Sequence, residues 1–410
     1  MAPRRKPAPK PNDSDDGRSL RSRKRKHEHG PAAECEMKHL KSEEEFNAVA
    51  DKNDTAVDPL VRPLRPSNLI QYLDGFMRRD KSTKQLFTKF KRRLLADKIL
   101  NFEIKSPTAG LQFQQVARVT CIEWHPNQPE LCAVGSKTGE ILLWNSSSPD
   151  RQIRTPSMGS GAAVAAMKFH KDDPQRMYTA TLLGRVMLQD FGIAQPQVFS
   201  DTHSHEVWFT ALDVCDRKKL ILAGDNVGKV YAFSPEGQMV WQSPVRLHRC
   251  KVKHIEFSKR DSNLVLTASV DHTVKLWDVR RMTGRKDFLH SLEHEFAVNS
   301  GYFSRVDGSS ILTTDQNSEL RVYRGPLWQD VTIIKHPHRQ FQHLTPIQAT
   351  WHPSEDLIVV GRYPDPAFKP NDVRGIDLFD GHTGKMLNKI HSSLALSGIY
   401  CVSTLPQNLV

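Results

Sequence analysis

The chain has 410 residues, enough for one large core with appendages, and a formal net charge of +12. That balance points to an acidic partner: nucleic acid, an anionic membrane or an acidic protein. There is no apolar run of about eighteen residues, no apolar segment in the basic, Pro-rich start, and no Cys-x-x-Cys among the six cysteines, so no membrane span, secretory signal, disulfide framework or zinc framework is expected.

Residues 1–60 are rich in Pro, Lys, Arg, Ser, Asp and Glu and poor in aromatics, the composition of a disordered basic tail. Residues 18–26 hold six Lys or Arg and no acid. That cluster reads as a nuclear localisation signal or as a solubilising, DNA-attracted arm.

The pattern turns helical over residues 61–98. Leu69, Tyr72, Leu73, Phe76 and Met77 fall on one face, and Leu86, Phe87, Phe90, Leu94 and Leu95 repeat the period. Ser82 and Gln85 have the spacing of a capping box that opens the second helix. The apolar stripe of this helix pair either packs on the domain that follows or enters a groove on a partner.

From residue 99 onward short alternating strands are separated by turns, and the unit repeats. Third-strand ends at Trp144, Gln189, Phe233, Trp277, Tyr323 and Phe379 are spaced by 45, 44, 44, 46 and 56 residues. That is the period of a WD40 propeller blade of four strands. Inner strands are expected at 119–124, 164–169, 209–214, 252–257, 298–303 and 347–351, and second strands include 131–134, 220–223, 264–268 and 357–360. The long last spacing is an insertion at 362–374. A seventh repeat would end near residue ~424 by the same period, past Val410. The expectation is an all-β, seven-bladed type of propeller over 99–410 whose last blade is incomplete after about residue 392. Residues 398–403 would give its inner strand and 101–105 an outer one; a compact six-bladed ring is the alternative.

Residues 335–344 read Lys-His-Pro-His-Arg-Gln-Phe-Gln-His-Leu. Pro337 and Pro346 keep this stretch out of a strand or helix interior. Phe341 is its one large apolar side chain before Leu344, among His336, His338, Arg339, Gln340, Gln342 and His343. It either folds under the loop or serves as a wedge in a base stack, with polar neighbours meeting bases and phosphates.

Propeller geometry turns such loops into a surface. Loops from an outer strand to the next inner strand share a face with the turns between second and third strands. Phe341, Lys251, Lys137, Arg185, Lys229 and the 362–374 insertion then gather on one face, a footprint for phosphate contacts around an aromatic loop. Arg280 follows Trp277-Asp278-Val279 at a third-strand end and projects from the opposite face.

Several passages carry a resemblance: Ala133-Val134-Gly135-Ser136-Lys137, residues 267–280, Leu312-Thr313-Thr314-Asp315-Gln316, residues 336–346, and Val359-Val360-Gly361-Arg362-Tyr363-Pro364-Asp365-Pro366. On these the chain resembles the small WD40 subunits of ultraviolet-damaged-DNA-binding complexes across nearly the whole propeller. It departs from them after about Ser392. The resemblance implies that Phe341, Gln342 and His343 form a hairpin that enters duplex DNA from the minor groove and extrudes damaged nucleotides. Lys137 and Lys251 match residues that line the DNA or lesion contact. Arg280 matches the last residue of a Trp-Asp-x-Arg motif that docks on the large triple-propeller adaptor of a cullin–RING ubiquitin ligase, and the helix pair matches an adaptor-binding segment. Candidate DNA contacts are therefore Phe341, Gln342, His343, Lys137, Lys251, Arg339, Arg362, Tyr363 and Arg118. Candidate adaptor contacts are Asp278, Arg280, Leu69, Leu73, Phe76, Phe87 and Phe90.

No Gly-rich phosphate loop, His-Glu-x-x-His or Gly-x-Ser-x-Gly is present, so a receptor and not an enzyme is expected. His336, His338 and His343 could gather round a metal, but no second shell can be read; neither metal nor cofactor is expected. The expected setting is nuclear, with damaged double-stranded DNA, the ligase adaptor and chromatin as partners and no membrane. The alternative is a chromatin- or histone-binding scaffold without lesion recognition.

Overall fold

The inner strands set the architecture. In a computed structural model, residues 118–148, 152–193, 195–202, 206–338, 345–353, 355–365 and 372–391 are described. They form six antiparallel sheets, each of four strands in chain order. The first is β1 (Val119–Trp124), β2 (Leu131–Ser136), β3 (Ile141–Asn145) and β4 (Gln152–Arg154). The second is β5 (Val164–Phe169), β6 (Arg176–Thr181), β7 (Arg185–Asp190) and β8 (Gln197–Asp201). The third is β9 (Phe209–Cys215), β10 (Leu220–Asp225), β11 (Lys229–Phe233) and β12 (Val245–Arg246). The fourth is β13 (Val252–Phe257), β14 (Leu264–Ser269), β15 (Thr273–Asp278) and β16 (His290–Glu293). The fifth is β17 (Val298–Phe303), β18 (Ser310–Asp315), β19 (Glu319–Arg324) and β20 (Asp330–Lys335), and the sixth is β21 (Thr350–Trp351), β22 (Leu357–Arg362), β23 (Gly375–Asp380) and β24 (Met386–His391).

This is a WD40 β-propeller with six blades among the described residues. All six repeat ends read from the sequence lie on third strands, from Trp144 on β3 to Phe379 on β23. The tail, the helix pair with Leu69, Leu73, Phe76, Phe87 and Phe90, and the expected strands at 101–105 and 398–403 lie outside the described residues. Among the described residues the only helical pieces are two short 3-10 turns, Asp216–Lys218 and Val279–Arg281.

The core sits between successive sheets, not inside any one of them. Leu222, Val230 and Leu247 meet Val252, Ile255 and Trp277 between the third and fourth blades. Leu266 and Val274 meet Val298, Phe303 and Ile311 at the next junction. Close approach there needs small residues: a Cβ on Gly224 would lie 2.8 Å from that of Val252.

Five inner strands carry a bulge at the same place, one residue inside the strand start. The extra residues are Thr120, Ala165, Thr210, Lys253 and Asn299. A bulge turns an extra side chain out of the ladder. The hydroxyls of Thr120 and Thr210 use this to donate to the carbonyls of Val164 (2.7 Å) and Val252 (2.5 Å) on the next inner strand. At the other end of the described ring, the Thr345 hydroxyl donates to the Val119 carbonyl at 3.1 Å, joining the lead-in of the sixth blade to the first inner strand.

Second strands run past their expected ends because polar residues there close the following turn. Ser136 Oγ accepts from the N–H groups of Thr138 and Glu140, and Asp225 and Asp315 do the same for their own turns. The sixth inner strand is shorter than the expected 347–351. Ala349 N–H donates to Thr314 Oγ1 and the Gln348 amide to the Asn299 carbonyl, so these residues bond to the fifth blade and only Thr350–Trp351 pairs with β22.

The fourth blade shows how a buried polar set locks a blade. The indole N–H of fully buried Trp277 donates to Thr267 Oγ1 at 2.7 Å, and His248 Nε2 meets the same oxygen at 2.7 Å. His248 Nδ1 faces Asp271, whose carboxylate also accepts from the Thr273 hydroxyl and Arg249 N–H. Thr267→Val keeps the shape and orphans two buried groups. It should lower unfolding stability by about 1–3 kcal/mol in urea titration, whereas an unchanged midpoint would mean the set contributes nothing.

Candidate nucleic-acid interface

The face is built from the turns that Ser136, Asp225, Ser269 and Asp315 close and from the loops that lead into the inner strands. Lys137 and Arg118 are both exposed, and Lys137 N–H donates to the Arg118 carbonyl at 2.9 Å, so the two cations stand on adjacent backbone. Lys251 is half-buried, with Nζ 5.8 Å from the centre of the Trp208 ring. Burial pushes its ammonium below the ordinary lysine range. Trp208 N–H in turn donates to Asn226 Oδ1. Trp208 was not among the residues expected at the site. The available signal was its place before β9, equivalent to that of Lys251 before β13.

Two residues of the 335–344 stretch are not where the sequence suggests. His336 and His338 are fully buried, so they do not offer bases or phosphates a partner. Their Nδ1 atoms lie 3.0 Å apart, His336 Nε2 meets Asp377 at 3.1 Å, and His338 Nε2 meets the Asp315 carbonyl at 3.1 Å. The cause is a repeated packing rule. The His336 ring sets its edge against Phe379, as His248 does against Trp277 and His294 against Tyr323. Arg339, Phe341, Gln342 and His343 lie outside the described residues.

Arg362 also has a different setting from the exposed phosphate contact expected of it. It donates to Asp377 at 2.7 Å and to Asp372 at 2.6 Å, with its side chain only 11% exposed. A guanidinium held by two carboxylates that are themselves buried supports the loop root and has little freedom to reach DNA. Tyr363 N–H donates to the Pro337 carbonyl, and the Arg374 guanidinium lies 5.1 Å from its ring centre. Arg185 is ion-paired with Asp201 at 2.7 Å. The exposed cations on this face therefore include Arg118, Lys137 and Arg249, with half-buried Lys251 beside them.

Below the face the six inner strands surround a cavity of about 1430 Å³. Three of the four acids that line it are matched: Lys168 bonds Glu123 at 2.9 Å and lies 3.9 Å from Asp213, and Arg305 lies 3.3 Å from Glu256. Away from the cavity, His294, Asp315 and Glu319 bring ligand atoms within 4.8 Å of one another. Glu319 is already neutralised by Arg321 and Lys335, and Asp315 closes its own turn, so the trio is spent on structure.

On the opposite face Arg280 forks onto Asp278, at 2.9 Å through Nε and 2.6 Å through Nη2. Those hydrogen bonds hold the Asp278 carboxyl down at about 2. The Arg280 side chain stays 64% exposed, so the pair is presented and not buried.

The family model for the WD domain, G-beta repeat, matches residues 243–278, which end with β15. The DNA damage-binding protein 2 of Bos taurus is 44% identical over 287 residues, 68% of this chain and 67% of that protein. Those of Gallus gallus and Danio rerio are 43% and 41% identical over 69% and 67% of this chain, and the match spans 57% and 55% of their lengths. The chain belongs to the DNA damage-binding protein 2 family. Membership makes the Arg118, Lys137, Lys251 and Trp208 face the first candidate for nucleic acid, because it joins exposed cations to an aromatic ring at a cavity mouth.

Two rings near these surfaces make stability depend on pH. Burial holds His254 and His294 down at about 3, with Lys168 and Arg305 adding to the effect on His254 and Arg321 on His294. Their folded pKa values lie below the unfolded value near 6.5, so the unfolded chain takes up protons first. Their contribution is complete above about pH 6.5 and is lost as pH falls toward 3. Each ring should remove up to roughly 2 kcal/mol between pH 6.5 and 5. Urea midpoints should fall over that range, with a shallower slope in His294→Gln; the same slope in that variant would contradict the assignment.

Proposed function

We propose that this chain binds damaged duplex DNA on the face that carries Arg118, Lys137, Lys251 and Trp208, with Phe341, Gln342 and His343 as the wedge. The relatives' name supports damage binding. The observation that carries the wedge reading is how the loop is tied at both ends. His338 bonds the Asp315 carbonyl on one side, and Thr345 bonds the Val119 carbonyl on the other, at the rim of the cavity.

The chemistry follows from cost. Extruding a nucleotide costs a few kcal/mol in intact DNA and less where a lesion has weakened stacking. An aromatic ring that fills the gap therefore selects for deformability, not base sequence. Arg118 and Lys137 add backbone affinity that is salt-dependent and blind to the lesion.

Binding to one duplex with and without a single ultraviolet photoproduct, across a salt series, tests this. Phe341→Ala should reduce the damaged-to-intact preference by tenfold or more, on the order of 1–3 kcal/mol of stacking, and barely change intact-duplex affinity. Lys137→Ala should weaken both duplexes alike and reduce the salt slope by about 1. Equal losses on both duplexes from Phe341→Ala would remove the wedge.

Exposed Arg280, forked onto half-buried Asp278 on the opposite face, supports a second contact: docking on the large triple-propeller adaptor of a cullin–RING ubiquitin ligase in the nucleus. That arrangement leaves the DNA face open while the receptor is attached. Arg280→Glu should abolish co-purification with the adaptor and leave duplex binding unchanged. Adaptor capture at wild-type level would exclude this docking site.

A further inference from the structure

One of the four polar residues at the inner-strand bulges breaks the pattern of the others. At that position Thr120 and Thr210 staple neighbouring strands through their hydroxyls, and Asn299 donates to the Asp315 carbonyl. Lys253 occupies the same position on β13, and no hydrogen bond or ion pair reaches its ammonium among the described residues. It lines the cavity, half-buried, two residues along from Lys251 at the rim.

Its surroundings raise the share of neutral amine. Burial and then the nearby Lys251 charge push the Lys253 ammonium down to about 8. The facing carboxylates do not oppose this. Glu123 on β1 and Asp213 on β9 are taken by Lys168, and Glu256 on β13 by Arg305. His254, beside it, is held neutral by burial. Lys251 is also lowered, but it is placed against Trp208. An unpaired, partly neutral amine inside a cavity is a nucleophile, and a bulge is a place where folds re-aim a functional side chain.

We propose that Lys253 forms a reversible imine with the aldehyde of a ring-opened abasic nucleotide admitted to the cavity mouth, so that this chain captures base-free sites covalently. The inference rests on the damage-binding reading above. The neutral ε-amine adds to C1′ of the open sugar. A C–N bond forms, the carbonyl oxygen leaves as water, and the imine results with no change of oxidation state. Hydrolysis returns aldehyde and amine, so the capture is a timed hold on the site and needs no further reactant.

The test uses the full chain with a duplex bearing one abasic site and sodium cyanoborohydride, which reduces the imine to a stable amine. Adducts are counted on denaturing gels and mapped by peptide mass. Preference for a photoproduct duplex is measured in parallel. The wild-type chain should give an adduct mapped to Lys253, with yield rising through about pH 8 and not through the ordinary lysine range near ~10.4. Lys253→Arg keeps the charge, and Lys253→Thr installs the residue that β1 and β9 already carry in this bulge; both should lose at least tenfold of the adduct. An adduct mapped to Lys251 or to the amino terminus, or one of wild-type yield in Lys253→Arg, would overturn the proposal. No adduct from a protein that still prefers the photoproduct duplex would overturn this inference alone. No preference for either damaged duplex would overturn the reading beneath it as well.

Discussion

Three blade junctions pack a buried imidazole in one way. His248, His294 and His336 each precede an inner strand and set a ring edge against the third-strand aromatic of the blade they enter. His248 meets Thr267 and Asp271, His336 meets Asp377 and His338, and His294 meets Tyr323 through Nε2 while its buried Nδ1 has no hydrogen-bond partner among the described residues. An unmet donor in such a place costs about 1–3 kcal/mol, so the loop backbone cannot drift without losing packing and hydrogen bonds together. The loops that rim the face are fixed by groups that never reach its surface.

This separation of duties explains the charge pattern. Arg362 and Arg185 are consumed by Asp372, Asp377 and Asp201, and Lys168 and Arg305 by the cavity carboxylates. Exposed cations stand on both faces: Arg118, Lys137 and Arg249 at this rim, and Lys171, Arg217 and Lys259 in the turns of the opposite face. Backbone attraction with little base readout is what such a rim can supply. A stacking residue and the cavity behind the rim would supply the discrimination. Lys253 fits the same division, because its bulge position is structural on neighbouring strands and is left unbonded here.

The 44- to 46-residue spacings made the blades legible, since strand pairing and turn closure recur with the period. Lys137 and Lys251 were legible for the same reason: position in a repeat tells which face a loop occupies. What periodicity does not report is where a polar side chain turns. His336, His338 and Arg362 look like surface polar residues in sequence, and burial reverses that reading, beside Asp377 for His336 and Arg362 and against the Asp315 carbonyl for His338. The shortened sixth inner strand was hidden because Gln348 and Ala349 bond to another blade, a contact with no local signature. Trp208 was readable only by asking what stands at the position of Lys251 one blade earlier.

The central claim is that the face with Arg118, Lys137, Lys251 and Trp208 meets the lesion. Amide hydrogen exchange of the full chain with and without a photoproduct duplex tests it most directly. The account predicts slowed exchange in the turns at 137–140 and 248–252, with the turns at 170–175, 216–219 and 258–263 on the opposite face unchanged. Protection confined to those opposite turns would contradict it.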